Sequence, residues 1–112
     1  MTTNKRFKLE ATEIKQLVTG LGACLATDRI VVDGAAVGYM YREKPKNESD
    51  SGWRFFAGDE DEQYMSNPAL HGVYAVNTIA NYDPDIIPFL RAPAGSQFER
   101  DAAGKLAPIS AD

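Results

Sequence analysis

The feature that most constrains how this chain can fold is the brevity of every β-type run before a turn signal ends it. Arg29-Ile30-Val31-Val32 runs into Asp33-Gly34, a strong hairpin dipeptide, and Val37-Gly38-Tyr39-Met40-Tyr41-Arg42 reads as the return strand. In that strand Val37, Tyr39 and Tyr41 are expected on one face, and Gly38 implies a bulge or a close approach of backbone. Trp53-Arg54-Phe55-Phe56 is broken by Gly58. Val73-Tyr74-Ala75-Val76, with an extension through Ile79, ends before Asn81-Tyr82-Asp83-Pro84-Asp85. Phe98–Arg100 and Lys105–Ile109 flank Asp101-Ala102-Ala103-Gly104 as a last hairpin, and Phe7–Glu10 offers a short edge strand.

One stretch follows a helical period instead. Ile14, Leu17, Val18 and Leu21 recur at i, i+3, i+4 and i+7, with Thr12 as N-cap and Gly20 and Gly22 as terminators. Glu60–Met65 predicts a second, short helix stopped by Asn67-Pro68. Asp83 and Pro84 suit the N-cap and first position of a third, which Pro88 shortens and Pro93 and Gly95 end. Glu43–Gly52, apolar only at Pro45, is an exposed loop. The expected fold class is α+β: a mainly antiparallel sheet of about five or six short strands with an N-terminal helix packed on one face. A chain of 112 residues is expected to form one domain, 1–112, that buries roughly two thirds of its unfolded surface.

Composition narrows the chemistry. The single cysteine, Cys24, excludes an internal disulfide, and its neighbours Gly22-Ala23-Cys24-Leu25-Ala26 make it a small core hydrophobe rather than a nucleophile. The only histidine, His71, is far from it in sequence and reads as a surface residue in a turn, so a site with several His ligands is excluded. No secretory apolar run follows the first residues, and nothing is long enough to span a membrane, so cytoplasmic residence is expected. The net charge of −4 resides in Asp59-Glu60-Asp61-Glu62; without these four, acidic and basic residues balance. No basic stripe is present, which disfavours nucleic acid, whereas an acidic run suits a basic protein partner.

Gly-rich phosphate loops, HExxH, CxxC and GxSxG patterns are all missing, so any catalysis would have to use carboxylates. Asp83 and Asp85 lie at acid–base spacing, but helix capping accounts for Asp83, and Asp85 suits the first turn. Three readings follow. The first is a binding protein without catalytic activity and without cofactor, which meets its partner through Asp59, Glu60, Asp61 and Glu62 with Arg54, Tyr82 and Asp85 nearby. The second is a carboxylate-based metal-binding domain or metal-dependent enzyme that draws Asp59–Glu62 together with Asp83 or Asp85. The third is a module that binds a small ligand through Trp53 and the tyrosines.

Four segments, taken in order, resemble a known family. They are Ala26-Thr27-Asp28-Arg29-Ile30 through Val37–Glu43, Ser51-Gly52-Trp53-Arg54-Phe55-Phe56 through Glu62, Asn77–Pro88 with its Asn81-Tyr82-Asp83-Pro84-Asp85 block, and Gly95–Arg100. Together they are similar to the immunity protein 33 family, over a span from about Gly22 to Pro108. The resemblance implies a small cytoplasmic protein of polymorphic toxin systems that binds and blocks a cognate toxin, with no catalytic residues to carry over. An acidic surface would then face a basic toxin.

Overall fold

The structure is a computed structural model that describes residues 5–109. Six strands form one mixed sheet: β1 (Ala23–Thr27), β2 (Tyr39–Arg42), β3 (Asp50–Phe56), β4 (His71–Ala75), β5 (Gln97–Arg100) and β6 (Leu106–Pro108). Their order is β4-β1-β3-β2-β5-β6, with β1 and β3 parallel and every other pair antiparallel. β3 is thus the strand inserted between β1 and β2. It is also the most buried, with Ser51 to Phe55 all inside. The expected α+β fold with a mainly antiparallel sheet is what the chain forms.

Side chains alternate across this sheet, and the alternation sorts it into a covered face and an open one. Cys24 and Ala26 of β1, Met40 of β2, Trp53 and Phe55 of β3, and Phe98 of β5 belong to the core. Helix α1 (Asp28–Val31) adds Ile30 and Val31. Helix α3 (Val76–Tyr82) adds Val76, Ile79 and Ala80, an i, i+3, i+4 set. A 3-10 helix, Pro84–Phe89, adds Ile86. Trp53 is fully buried, and its indole N–H donates to the Leu90 carbonyl at 3.0 Å, so the ring enters the core with its one polar atom satisfied.

Five expectations fail. The N-terminal helix does not form: Ala11–Glu13 makes one 3-10 turn capped by Glu10, not Thr12, and the chain then runs without helix to β1. Asn77 and Asn81, one turn apart on α3, hold that segment as a strap. Asn77 Oδ1 accepts from the Leu17 and Val18 N–H groups at 2.7 and 3.0 Å, and Asn81 Oδ1 from the Lys15 N–H at 2.9 Å. Both Nδ2 groups donate to the Lys15 carbonyl, at 2.9 and 2.7 Å. Backbone groups held this way are withdrawn from a helix that would have been marginal alone. Phe7–Glu10 likewise forms no strand; Lys8 N–H donates to the Val31 carbonyl and Leu9 N–H to the Tyr82 hydroxyl.

Arg29–Val32 is not a strand, because complete burial of Ile30 and near-complete burial of Val31 on a helical turn outweighs their β preference. Asp33-Gly34 therefore ends a helix instead of turning a hairpin: Gly34, at φ +78°, donates to the Ile30 carbonyl. β4 does not extend through Ile79, since α3 begins directly after Ala75. The second and third expected helices stand close to their predicted places, with α2 at Glu62–Met65 and Asp83 capping the 3-10 helix through the Asp85 N–H, while Pro68–Leu70 adds an unexpected 3-10 turn.

Candidate partner-binding face

Across the strands, the side chains opposite the core line up in two rows. Register places Val73, Leu25, Arg54, Tyr41 and Gln97 in one row, and Phe56, Tyr39 and Glu99 in the next. Leu25 and Val73 are exposed, Val73 by 69%. Tyr39, Tyr41 and Phe56 form a cluster in which each pair of ring centroids is 5.8 Å apart, and Tyr41 and Phe56 are nearly parallel at 11°. These rings floor an open groove of about 880 Å³. Asp59, Glu60, Glu99 and Asp101 line it, against one guanidinium, that of Arg100; Met65 of α2 joins the lining.

Two glycines make this face possible. Gly38 brings β2 so close to the end of β3 that a Cβ there would lie 1.9 Å from the Ala57 carbonyl oxygen. Gly52, at φ +89°, sits in the irregular part of β3, where the β1–β3 register slips between Ala23 and Leu25. The kink at Gly38 also corrects the expected alignment of β2: Val37 is buried in the core and its N–H donates to Asp83 Oδ2 at 2.8 Å, so it does not share the face of Tyr39 and Tyr41.

The acidic run is not a set of four free charges. Arg29 grips Asp59 with two hydrogen bonds, at 3.0 and 2.7 Å, and this contact holds the Asp59 carboxyl below its usual range. Glu60 fastens its own turn to the sheet. It accepts from the Thr27 hydroxyl at 2.6 Å and from the Ala57 and Gly58 N–H groups at 2.8 Å each. Burial pushes the Glu60 carboxyl up, but these hydrogen bonds outweigh it, and its pKa lies below the ordinary value. Asp61 caps α2 by accepting from the Tyr64 N–H at 2.7 Å. Glu62, exposed in the first turn of α2, has no side-chain partner among the described residues. Asp59 and Glu60 thus line the groove, while Asp61 and Glu62 start the short helix beside it.

Arg54 does not pair with the acidic run. It is 3% exposed and is held by Glu43 at 2.6 Å and by Asp50 at 3.0 and 2.9 Å, beneath the loop that precedes β3. The guanidinium draws the Asp50 carboxyl well below the ordinary carboxylate range. Tyr82, on the opposite side of the sheet, anchors the N-terminal strap through Leu9. Asp85 reaches the Arg100 guanidinium at 3.1 Å, and Asp83 meets the same guanidinium at 2.7 Å. His71 opens β4, with its Nε2 3.0 Å from the Met65 carbonyl oxygen. Cys24 is 1% exposed, and burial pushes its thiol up to about 12. Among the described residues, no three His, Cys, Asp or Glu side chains are grouped so that they could hold a metal ion. Among the described residues, no helix is long and apolar enough to cross a membrane.

The groove's own side chains were largely overlooked by motif reasoning. Tyr39 and Tyr41 are legible as a shared face, but nothing in the expected Phe98–Arg100 strand singles out Glu99, and Phe56 lies inside a run otherwise devoted to the core. The signal that finds them is alternation, applied once β2, β3 and β5 are known to be neighbours.

The arrangement is thus a small α+β fold with α1, α3 and the core on one side of the sheet and an aromatic, acid-lined groove, bordered by α2, on the other. Residues 24–110 match the immunity protein Imm33 domain, and the chain belongs to that family. Compared with the curated proteins and with the solved structures, the chain matches none.

Proposed function

We propose that this protein is a cytoplasmic immunity protein that neutralises a cognate bacterial toxin by binding it, with no catalytic step of its own. The observation that carries the reading is membership of the immunity protein Imm33 domain family over residues 24–110. Proteins of that family imply a toxin partner. The open sheet face supports the same reading, because half-buried aromatic rings facing water beside carboxylates have the composition of an interface more than of a finished surface.

The toxin's contact surface is basic in this account. Asp59, Glu60, Asp61 and Glu62 lie beside the groove and carry charge equal to the whole net charge of −4. They steer a positively charged partner, while the rings supply contact area. Arg54 and Tyr82 serve the interface indirectly: one stiffens the sheet under the open face, and the other ties down the strap. Asp85 holds Arg100 at the groove's margin.

Co-expression tests this reading. A toxin encoded beside this chain's gene should kill its host when produced alone and spare it when the two are produced together, and the pair should purify as a complex. Killing that continues in the presence of soluble, folded protein, with no complex recovered, would refute it.

A further inference from the structure

The groove carries a more specific statement about its occupant. Tyr41 and Phe56 present a nearly parallel pair of rings on the water side of the sheet, with Tyr39 tilted beside them at 31–40°. Burial raises the Tyr41 hydroxyl above its ordinary pKa, and nearby Glu43 acts in the same direction, so the phenol stays neutral in the physiological range. Around the rings, most carboxylates are already engaged. Asp59 is held by Arg29, Glu60 by the Ala57–Gly58 turn, and Asp101 by the N–H groups of Ala103 and Lys105.

Glu99 is different. It lies directly across the β2–β5 ladder from Tyr39, is exposed, and has no hydrogen-bond or ion-pair partner for its side chain among the described residues. A stacked ring pair with an unengaged carboxylate beside it is complementary to a planar cation. Guanidinium stacks on aromatic faces and donates in a fork to carboxylate; the more strongly hydrated ammonium of lysine does the first less well and cannot do the second in the same plane.

Resting on the toxin-binding reading, we propose that this groove receives an arginine side chain projecting from the toxin. The guanidinium stacks on an outward ring face of the Tyr41–Phe56 pair, and Glu99 carries the opposing charge. Tyr39, whose hydroxyl donates to Gln97 Oε1 at 3.0 Å, is fixed in place as the side wall.

An acetylated and amidated Gly-Arg-Gly tripeptide tests the groove without the toxin. Titrated into the full chain at low ionic strength, it should shift NMR resonances of Tyr39, Tyr41, Phe56 and Glu99 and leave those of Cys24, Trp53 and Tyr82 in place. The lysine counterpart should bind about three- to fivefold more weakly, and the glutamate counterpart should not bind measurably. Glu99→Gln should cost about three- to fivefold in tripeptide affinity while leaving the melting temperature unchanged, since Glu99 supports nothing internal. Shifts centred elsewhere, equal response to the lysine peptide, or undiminished binding by Glu99→Gln would each overturn the proposal. The peptide titration is independent of co-expression, so loss of the groove proposal leaves the immunity reading standing, whereas failed protection with intact peptide binding removes the immunity reading and the toxin as source of the arginine but leaves the guanidinium site.

Discussion

Arg54→Met is the substitution that best separates a supporting role from a contact role for this residue. The guanidinium of Arg54 makes hydrogen bonds to Glu43 at 2.6 Å and to Asp50 at 3.0 and 2.9 Å, from a side chain only 3% exposed. Methionine keeps much of the volume and removes the charge. Breaking a buried ion pair from one side costs about 3–5 kcal/mol, because the partner is left charged and unpaired. The Glu43 side chain is 40% exposed and regains water readily, whereas Asp50 at 12% does not. The net loss is therefore about 2–4 kcal/mol, a large part of the roughly 5–15 kcal/mol that stabilises a domain. Urea and thermal unfolding measure it, and a second substitution, Asp50→Asn, should restore part of the loss by removing the orphaned charge. If Arg54→Met unfolds within about 0.5 kcal/mol of the parent protein, the ion cluster is not structural and Arg54 becomes available as a contact residue.

Three further predictions follow from the same geometry. Asn77→Ala removes three hydrogen bonds to the strap, at Lys15, Leu17 and Val18, and should cost about 1–3 kcal/mol while accelerating amide exchange at Leu17 and Val18 well before β1 or β3 responds; unchanged exchange there would refute the clamp. Cys24 should resist thiol reagents in the native state, since burial holds the thiol up at about 12; rapid labelling without denaturant would contradict its burial. Acid should weaken the fold through Asp50 and Glu60: both carboxyls are depressed in the folded state, so their contribution is complete above the ordinary carboxylate pKa of about 4 and is lost as pH falls through their lower folded values. Asp50→Asn should therefore flatten the acid limb of a stability-against-pH curve, and an unaltered limb would count against the Arg54–Asp50 pair.

The elements that sequence reasoning recovered are those whose cause is local. β2, β3, β5 and β6 combine strand-forming residues with adjacent turns, and the 3-10 helix at Pro84 follows from Asp83-Pro84 alone. The failures share a different cause. Asn77 and Asn81 act some sixty residues away, on Lys15, Leu17 and Val18, and no periodicity at Ile14–Leu21 registers them. Asp33-Gly34 is ambiguous in isolation, since a glycine with positive φ serves a hairpin or a helix end equally well. Cys24 and its neighbours form β1 only because β3 and β4 flank it.

The candidate site divides along the same line. The blocks most distinctive in the sequence turn out to serve the fold: in Gly52-Trp53-Arg54-Phe55-Phe56 only Phe56 reaches the groove, and Asn81-Tyr82-Asp83 binds the strap, the β2 entry and Arg100. Asp59 to Glu62 stood out as a run, yet three of the four have internal partners. Glu99 lies within the Gly95–Arg100 family segment but is placed beside Tyr39 only by strand pairing.

The central claim, a toxin held on the open sheet face, is tested most directly by titrating the toxin against two folded variants. Tyr41→Ser with Glu99→Lys removes a ring from the floor and reverses the unengaged charge, and toxin affinity should fall by about a hundredfold or more, the scale of a hot-spot loss. Asp61→Asn with Glu62→Gln, at the start of α2, should slow association modestly and leave dissociation nearly unchanged. Full affinity in the first variant together with a large loss in the second would contradict the account and move the interface to the acidic helix.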